Sequence, residues 1–168
     1  MEARRESEPT PVHNRTAAER TSERELVVTR TVNGPARLVF DAWTKAELFE
    51  RWWVPKSFPI KLVSCELDVR VGGKYRLAFA HEGGTVEFFG HYLEVTRPSR
   101  LVWTNDEGDA GNVTTVTFEE RGGKTLVVVH DLYPSKEALD AAIAEGSTGG
   151  MPEQLEQLDQ LLGTLAGA

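Results

Sequence analysis

"PARLVFDAWTKAELFERWWVP", residues 35–55, is the stretch that decides the fold. Pro35 suits the first position of a helix, where its missing N–H costs nothing. Leu38, Val39 and Ala42 then share one face of a helix over 35–43. Thr44-x-x-Glu47 has the capping-box spacing, which predicts a second short helix, KAELFERWW, ending in the tryptophan pair and stopped by Pro55. The chain has four Trp, and half of them are Trp52 and Trp53. Adjacent side chains diverge on a helix or a strand, so at most one of the two can face a given core.

What surrounds this helical pair is mostly strand. RELVVTRTV (24–32) precedes it, and Asn33-Gly34-Pro35 turns the chain. After it come IKLVSCELDVR (60–70), KYRLAFAH (74–81), TVEFFGHYLEV (85–95), RLVWTN (100–105), VTTVTFEE (113–120) and TLVVVHD (125–131). Short Gly-containing turns join them, including Gly72-Gly73, Gly83-Gly84 and Gly122-Gly123. Strands this close together predict an antiparallel meander. Ser135 is the expected N-cap of a helix over KEALDAAIAEG, and MPEQLEQLDQLLGTL (151–165) is amphipathic. Its stripe is Leu155, Leu158, Leu161, Leu162 and Leu165, with Glu153, Gln154, Gln157 and Gln160 read as lying off it. The predicted class is α+β: a sheet with its C-terminal helix laid on one face.

At 168 residues the chain has enough length for one domain with a sizeable core. A composition 40% hydrophobic and 27% charged is that of a soluble globular protein. A net charge of −7 argues against nucleic-acid and anionic-membrane partners. No run is long enough to span a bilayer, and no apolar segment follows Met1, so a cytoplasmic location is expected. Cys65 is the single cysteine, which excludes an intramolecular disulfide and a Cys-rich metal site. It shares parity with Leu67 and Val69 and is read as buried and inert. Residues 1–23 are nearly devoid of large apolar side chains and read as a flexible arm; the folded domain is expected over 24–168.

The ordered set of motifs resembles the START-like (SRPBCC) superfamily, in the branch named after the C-terminal domain of the Hsp90 ATPase activator. The matching segments are 35–55, "DVRVGG" (68–73) with "KYR" after it, and Gly90, Tyr92, Glu94 and Val95. "RLVWT" (100–104), 113–120, "KTLVVVH" (124–130) and "QLDQLL" (157–162) complete the set. Two positions depart from the family pattern. Val54 stands for the usual Gly after the tryptophan pair, and Gly150-Met151 for the usual Gly-Trp before the last helix. The resemblance implies a helix-grip fold: a curved antiparallel sheet wrapped around the long C-terminal helix, two short helices after the first strand, and a cavity between sheet and helix. One Trp of the pair would anchor the short helices and the other would line the cavity mouth or cover its rim; the alternative is that both are packing residues, one in the core and one at the surface.

Strand alternation nominates the lining of that implied cavity. Tyr75, Leu77 and Phe79 share a face; so do Phe89, His91, Leu93 and Val95, and so do Leu126, Val128 and His130. Turned inward, these faces put His91 and His130 as polar groups into an apolar chamber, where each orients a ligand, acts as a base, or simply bonds a neighbour. With Trp52, Trp53, Trp103 and Met151 they complete the ligand-binding candidates: Trp52, Trp53, Tyr75, Phe79, Phe89, His91, Trp103, His130 and Met151. Asp68 and Arg70 are read as structural, pairing with each other or with neighbouring strands, and His13 and His81 carry no role. No zinc-ligand spacing, nucleophile elbow, P-loop or dinucleotide fingerprint is present in the sequence, and no cofactor or metal is expected. The leading expectation is a binding protein for a small hydrophobic or aromatic ligand. A cyclase- or aromatase-like enzyme using His91, His130 and Tyr75 is the alternative. An Hsp90 co-chaperone role is a further one, not favoured because the short arm stands where the eukaryotic activator has a separate domain. A homodimer is the expected assembly, although the sequence shows no interface.

Overall fold

The computed structural model describes residues 16–106, 111–144 and 150–166. Two strands, β1 (Thr16–Arg20) and β2 (Glu25–Val32), lead into α1 (Ala36–Thr44) and the single turn of α2 (Ala46–Phe49). Six more strands follow: β3 (Lys61–Leu67), β4 (Lys74–His81), β5 (Gly84–Thr96), β6 (Arg100–Thr104), β7 (Val113–Arg121) and β8 (Lys124–Leu132). The helices α3 (Lys136–Ala144) and α4 (Met151–Ala166) close the chain. All eight strands form one antiparallel sheet in the order β1-β2-β8-β7-β6-β5-β4-β3. β1 pairs with β2, β3 to β8 pair in succession, and the pairing of β2 with β8 brings the start of the chain beside the end of the meander. This is the helix-grip arrangement, with bulges at Leu62/Ser64 and Tyr92/Glu94 that bend the sheet. At the β7–β8 turn Gly122 and Gly123 have φ of 60° and 83°, the two positive values a two-residue hairpin turn requires.

Packing follows one face. Val28 and Val32 on β2, Val127 and Val129 on β8, and Val116 and Phe118 on β7 are all buried. They meet Val39 and Phe40 of α1 and Leu155, Leu158 and Leu162 of α4 in a single core. α4 lies over β1, β2 and α1, while α1 lies over β7 and β8. Asp159 on α4 forms an ion pair with Arg30 at 3.0 Å and accepts the Asn33 N–H at 2.8 Å. A buried carboxylate with this many donors is compensated for its desolvation, and it fixes where α4 sits. The start of α1 is covered from the sheet, as the Ala36 N–H donates to Glu120 Oε1 at 2.9 Å.

Three local expectations are corrected. Thr44 belongs to α1, and its hydroxyl donates back to the Phe40 carbonyl at 2.8 Å instead of capping a new helix. α2 therefore starts at Ala46 behind Lys45, and ends at Phe49, so Trp52 and Trp53 lie in the turns after it and not on its last turn. The strand expected over 60–70 leaves the ladder after Leu67. Ser135, in contrast, caps α3 as expected, accepting the Ala138 N–H at 3.0 Å. Within the segment read as an arm, Thr16–Arg20 is an edge strand on β2. Backbone pairing builds it, with exposed side chains, so the apolar pattern carried no signal for it.

Candidate functional site

The four tryptophans, spread over sixty residues of sequence, converge on one another. Trp43 sits at the centre: its ring lies 4.8 Å from Trp52, 5.8 Å from Trp53 and 5.8 Å from Trp103. Trp52 is fully buried and its Nε1–H donates to the Ala42 carbonyl at 2.9 Å, which locks the turn after α2 onto α1. Trp53 is half-buried and stacks on Phe49 at 4.5 Å. The two members of the pair thus divide: Trp52 anchors, and Trp53 keeps accessible surface. Trp43 Nε1 is the only buried side-chain polar atom without a hydrogen-bond partner among the described residues.

The backbone of the tryptophan turn has no ladder to bond with, and α4 supplies partners. Gln157 Nε2 donates to the Trp52 carbonyl at 2.9 Å and to the Val54 carbonyl at 2.8 Å, while its Oε1 accepts the Lys56 N–H at 2.8 Å. Gln154 Nε2 donates to the Trp53 carbonyl. Glu153 accepts from the Ser57 N–H and hydroxyl, and these bonds hold its carboxyl below the usual carboxylate range. Gln154 and Gln157 were read as lying off the buried stripe, yet both are buried. Buried backbone carbonyls must be paired, and that requirement recruits polar side chains next to the leucines. Their spacing of three residues beside Leu155 and Leu158 was the available signal.

Cross-strand register settles which candidates share the inner face. Tyr75, Leu77 and Phe79 lie opposite Gly90, Phe88 and Val86. Directly opposed residues share a face, so Phe88 and Tyr92 point inward. Phe89 and His91 oppose the exposed Arg76 and Lys74 and lie on the outer face. His130 is also outward: the buried side chains of β8 are Thr125, Val127 and Val129, and His130 bonds Glu25 Oε2 at 2.7 Å. His91 bonds Asp106 and Thr104, each at 3.2 Å. Both histidines are therefore away from the inner aromatic group, and the enzyme reading loses its two candidate bases. Trp103, opposite Tyr92 and Thr114, faces inward and is half-buried. Met151, at the start of α4, packs against the core and is half-buried. Of the two pairings open to them, Asp68 and Arg70 pair with each other, in an exposed position.

The phase error on β5 has a visible cause. The bulge at Tyr92/Glu94 returns Val95 to the inner face opposite Leu101, so counting back from Val95 selects the wrong residues. Gly90 marked the correct phase. A Cβ there would lie 2.0 Å from the Thr104 carbonyl oxygen and 2.9 Å from the Tyr75 ring. A glycine inside a strand signals such close approach.

An inner-face row thus crosses four strands: Tyr92, Trp103, Thr114 and Asp131. Asp131 was absent from the sequence candidates. Its Oδ1 accepts from Thr114 and from Asn112 Nδ2. Burial raises its carboxyl above the ordinary range, against the lowering effect of those two bonds. It nevertheless keeps accessible surface, a combination expected at the floor of a recess. Thr114 in turn accepts from Asn105 Nδ2 at 3.0 Å, and the Tyr75 hydroxyl donates to the Thr104 carbonyl at 2.7 Å, with Asn105 Oδ1 at 3.1 Å. On β3, Leu62, Cys65 and Leu67 face inward and are half-buried. Burial pushes the Cys65 thiol up to about 12, with Glu50 and Glu66 adding to the shift. A thiol held protonated is a poor nucleophile. Among the described residues no group of three or more His, Cys, Asp or Glu side chains could hold a metal ion. No helix among them is long and apolar enough to cross a membrane.

Solved structures share this architecture. A protein of Rhodobacter sphaeroides matches with a TM-score of 0.81 at 20% identity, covering 89% of this chain and 99% of that one. One of Nitrosomonas europaea matches at 0.79 and 23% identity, covering 89% and 100%. One of Staphylococcus epidermidis matches at 0.74 and 29% identity, covering 88% and 93%. No curated protein matches. The sequence model described as "Activator of Hsp90 ATPase homolog 1-like protein" matches residues 33–163. With that match over most of its length, and with this sheet and closing helix, the chain belongs to the Activator of Hsp90 ATPase homolog 1-like family of the START-like superfamily.

Proposed function

We propose that this protein binds a small, largely apolar or aromatic molecule against the inner face of β3–β6. The observation that carries the reading is uneven cover. α4 lies over β1 and β2, and it covers the buried Val28 and Val32 of β2. Farther along the same face Leu62, Cys65, Leu67 and Trp103 are half-buried, and Val86 and Phe88 are 38% and 40% exposed. An apolar concave wall with a few polar groups is the usual form of a ligand site. Trp53, Trp103 and Met151 are partly buried against the same hydrophobic core. Tyr75 and Phe79, buried on the β4 side, are its floor.

The test is titration with N-phenyl-1-naphthylamine, a neutral aromatic fluorophore, read by its own emission and by quenching of tryptophan. Saturable binding of about one equivalent is expected. Leu67→Trp fills the proposed space and should abolish binding while the protein still unfolds cooperatively at an unchanged temperature. Absence of saturable binding to the wild type, or undiminished binding to the variant, contradicts the reading. Native mass spectrometry of the purified protein then reports any retained ligand, and with it whether the expected homodimer forms.

A further inference from the structure

Tyr92 is 4% exposed, and its ring is held between Tyr75 at 5.9 Å and Trp103 at 6.5 Å. Its hydroxyl has no hydrogen-bond partner among the described residues. It is also not a sealed atom, since among the described residues Trp43 Nε1 alone of the buried polar side-chain atoms lacks both a partner and access. Buried Tyr rings ordinarily hydrogen-bond their hydroxyl to the protein, whereas the Tyr92 ring is enclosed and its oxygen stays accessible. Tyr75 shows the contrast one strand away, with its hydroxyl donated to the Thr104 carbonyl.

The direction of the Tyr92 side chain is set by the sheet. It lies on the inner face opposite Trp103, and the ionisable neighbours that act on it are Cys65 and Asp68, at the β3 side. It shares that inner face with Cys65 and Leu67 of β3. Burial, reinforced by those two neighbours, raises its pKa, so it stays a neutral O–H and can donate.

We propose that the Tyr92 hydroxyl is the ligand-recognising donor of this inner face, and that the ligand carries a carbonyl-type oxygen acceptor on an aromatic body. The inference rests on the binding reading above and deepens it by naming the ligand's polar group. The ring floor of Tyr75 and Trp103 takes the flat apolar part, and the Tyr92 O–H takes the acceptor. A ligand lacking the acceptor leaves that donor unsatisfied or competes with a water for the same place, which is where discrimination arises.

The experiment compares two naphthalenes of equal shape, 2-acetylnaphthalene and 2-isopropenylnaphthalene, by tryptophan quenching on the full chain and on Tyr92→Phe. The wild type should bind the ketone roughly five- to tenfold more tightly than the alkene, beyond the difference in their water solubilities. Tyr92→Phe should bind both with equal affinity and keep the wild-type affinity for the alkene. A ketone preference that survives in Tyr92→Phe overturns the assignment while leaving the binding reading intact. So does an equal affinity for the two probes in the wild type, which would mean that water alone serves the hydroxyl. Failure of both probes to bind the wild type overturns the binding reading and this inference with it. Should Tyr92→Phe not fold, Trp103→Phe provides the second measurement. It shortens the ring floor while sparing the donor, so it should weaken both probes and keep their ratio; a lost ratio contradicts the assignment.

Discussion

One inner face is finished in two ways. Over β1, β2, β7 and β8, α1 and α4 bury Val32, Val116, Val127, Leu155, Leu158 and Leu162 to within 0% exposure. Over β3, β5 and β6 the same face keeps accessible Leu67, Phe88 and Trp103. Both regions are apolar, so hydrophobicity does not separate them. The difference is where α4 is tied down. Arg30 and Asn33 hold Asp159 on the β2 side, and the tryptophan turn holds Gln154 and Gln157. A helix fixed at those points lies over β1 and β2, and with α1 over β7 and β8 the inner face of β3, β5 and β6 is left less covered.

The sharpest way to break this comparison is a pair of truncations. Leu158→Ala, in the closed region, should cost about 3–5 kcal/mol by urea unfolding, the cost of a buried leucine cavity. Leu67→Ala should cost about 1 kcal/mol or less, since its side chain is half-exposed already. Equal costs would erase the distinction between the two regions.

A smaller effect is expected at the clamp. Gln157→Ala removes three hydrogen bonds to the backbone of residues 52–56 and should destabilise by about 1–3 kcal/mol, because the buried carbonyls lose their partners. The neighbouring Gln160→Ala, exposed on the same helix, should stay within about 0.5 kcal/mol of wild type. If both variants behave alike in urea, the glutamine contacts do not hold α4 in place.

The smallest expected effect is a slope with pH. The Asp131 carboxyl is raised by burial above its ordinary 3.8, so between that value and its raised one the folded state holds more protons than the unfolded state. Stability attributable to this group therefore falls as pH rises through that window and is level above it. Asp131→Asn should flatten that part of the stability–pH curve and raise the melting temperature at neutral pH. An unchanged slope would show that Asp131 is more solvated than its position in the row implies.

Much of this architecture was legible in advance, for local reasons. Period-two alternation located the strands, Gly122-Gly123 located a hairpin, and the leucine repeat of 155–165 located the closing helix. The candidate site was legible only in part. Tyr75, Phe79 and Trp103 were placed on the correct face, but Phe89, His91 and His130 were read in the opposite phase. Alternation yields two faces without saying which one is inside, and a single bulge exchanges them. Phe88 and Tyr92 are the residues that this exchange concealed. Asp131 was hidden for a different reason: an acid at the end of a strand reads as solvent-facing unless its partners, Thr114 and Asn112, are known to lie beside it.

Residue chemistry along the chain was enough for the α+β class and for the order of elements from residue 24 onward, because periodicity, turns and breakers act over a few neighbours, while the family came from the resemblance of the ordered motifs. Three things depended on contacts between distant segments. These were the edge strand of Thr16–Arg20, the gathering of four tryptophans around Trp43, and the choice of inner residues on β5 and β8. Each follows from pairing register and from the need of buried backbone groups for partners. Neither constraint is written in any short stretch of sequence.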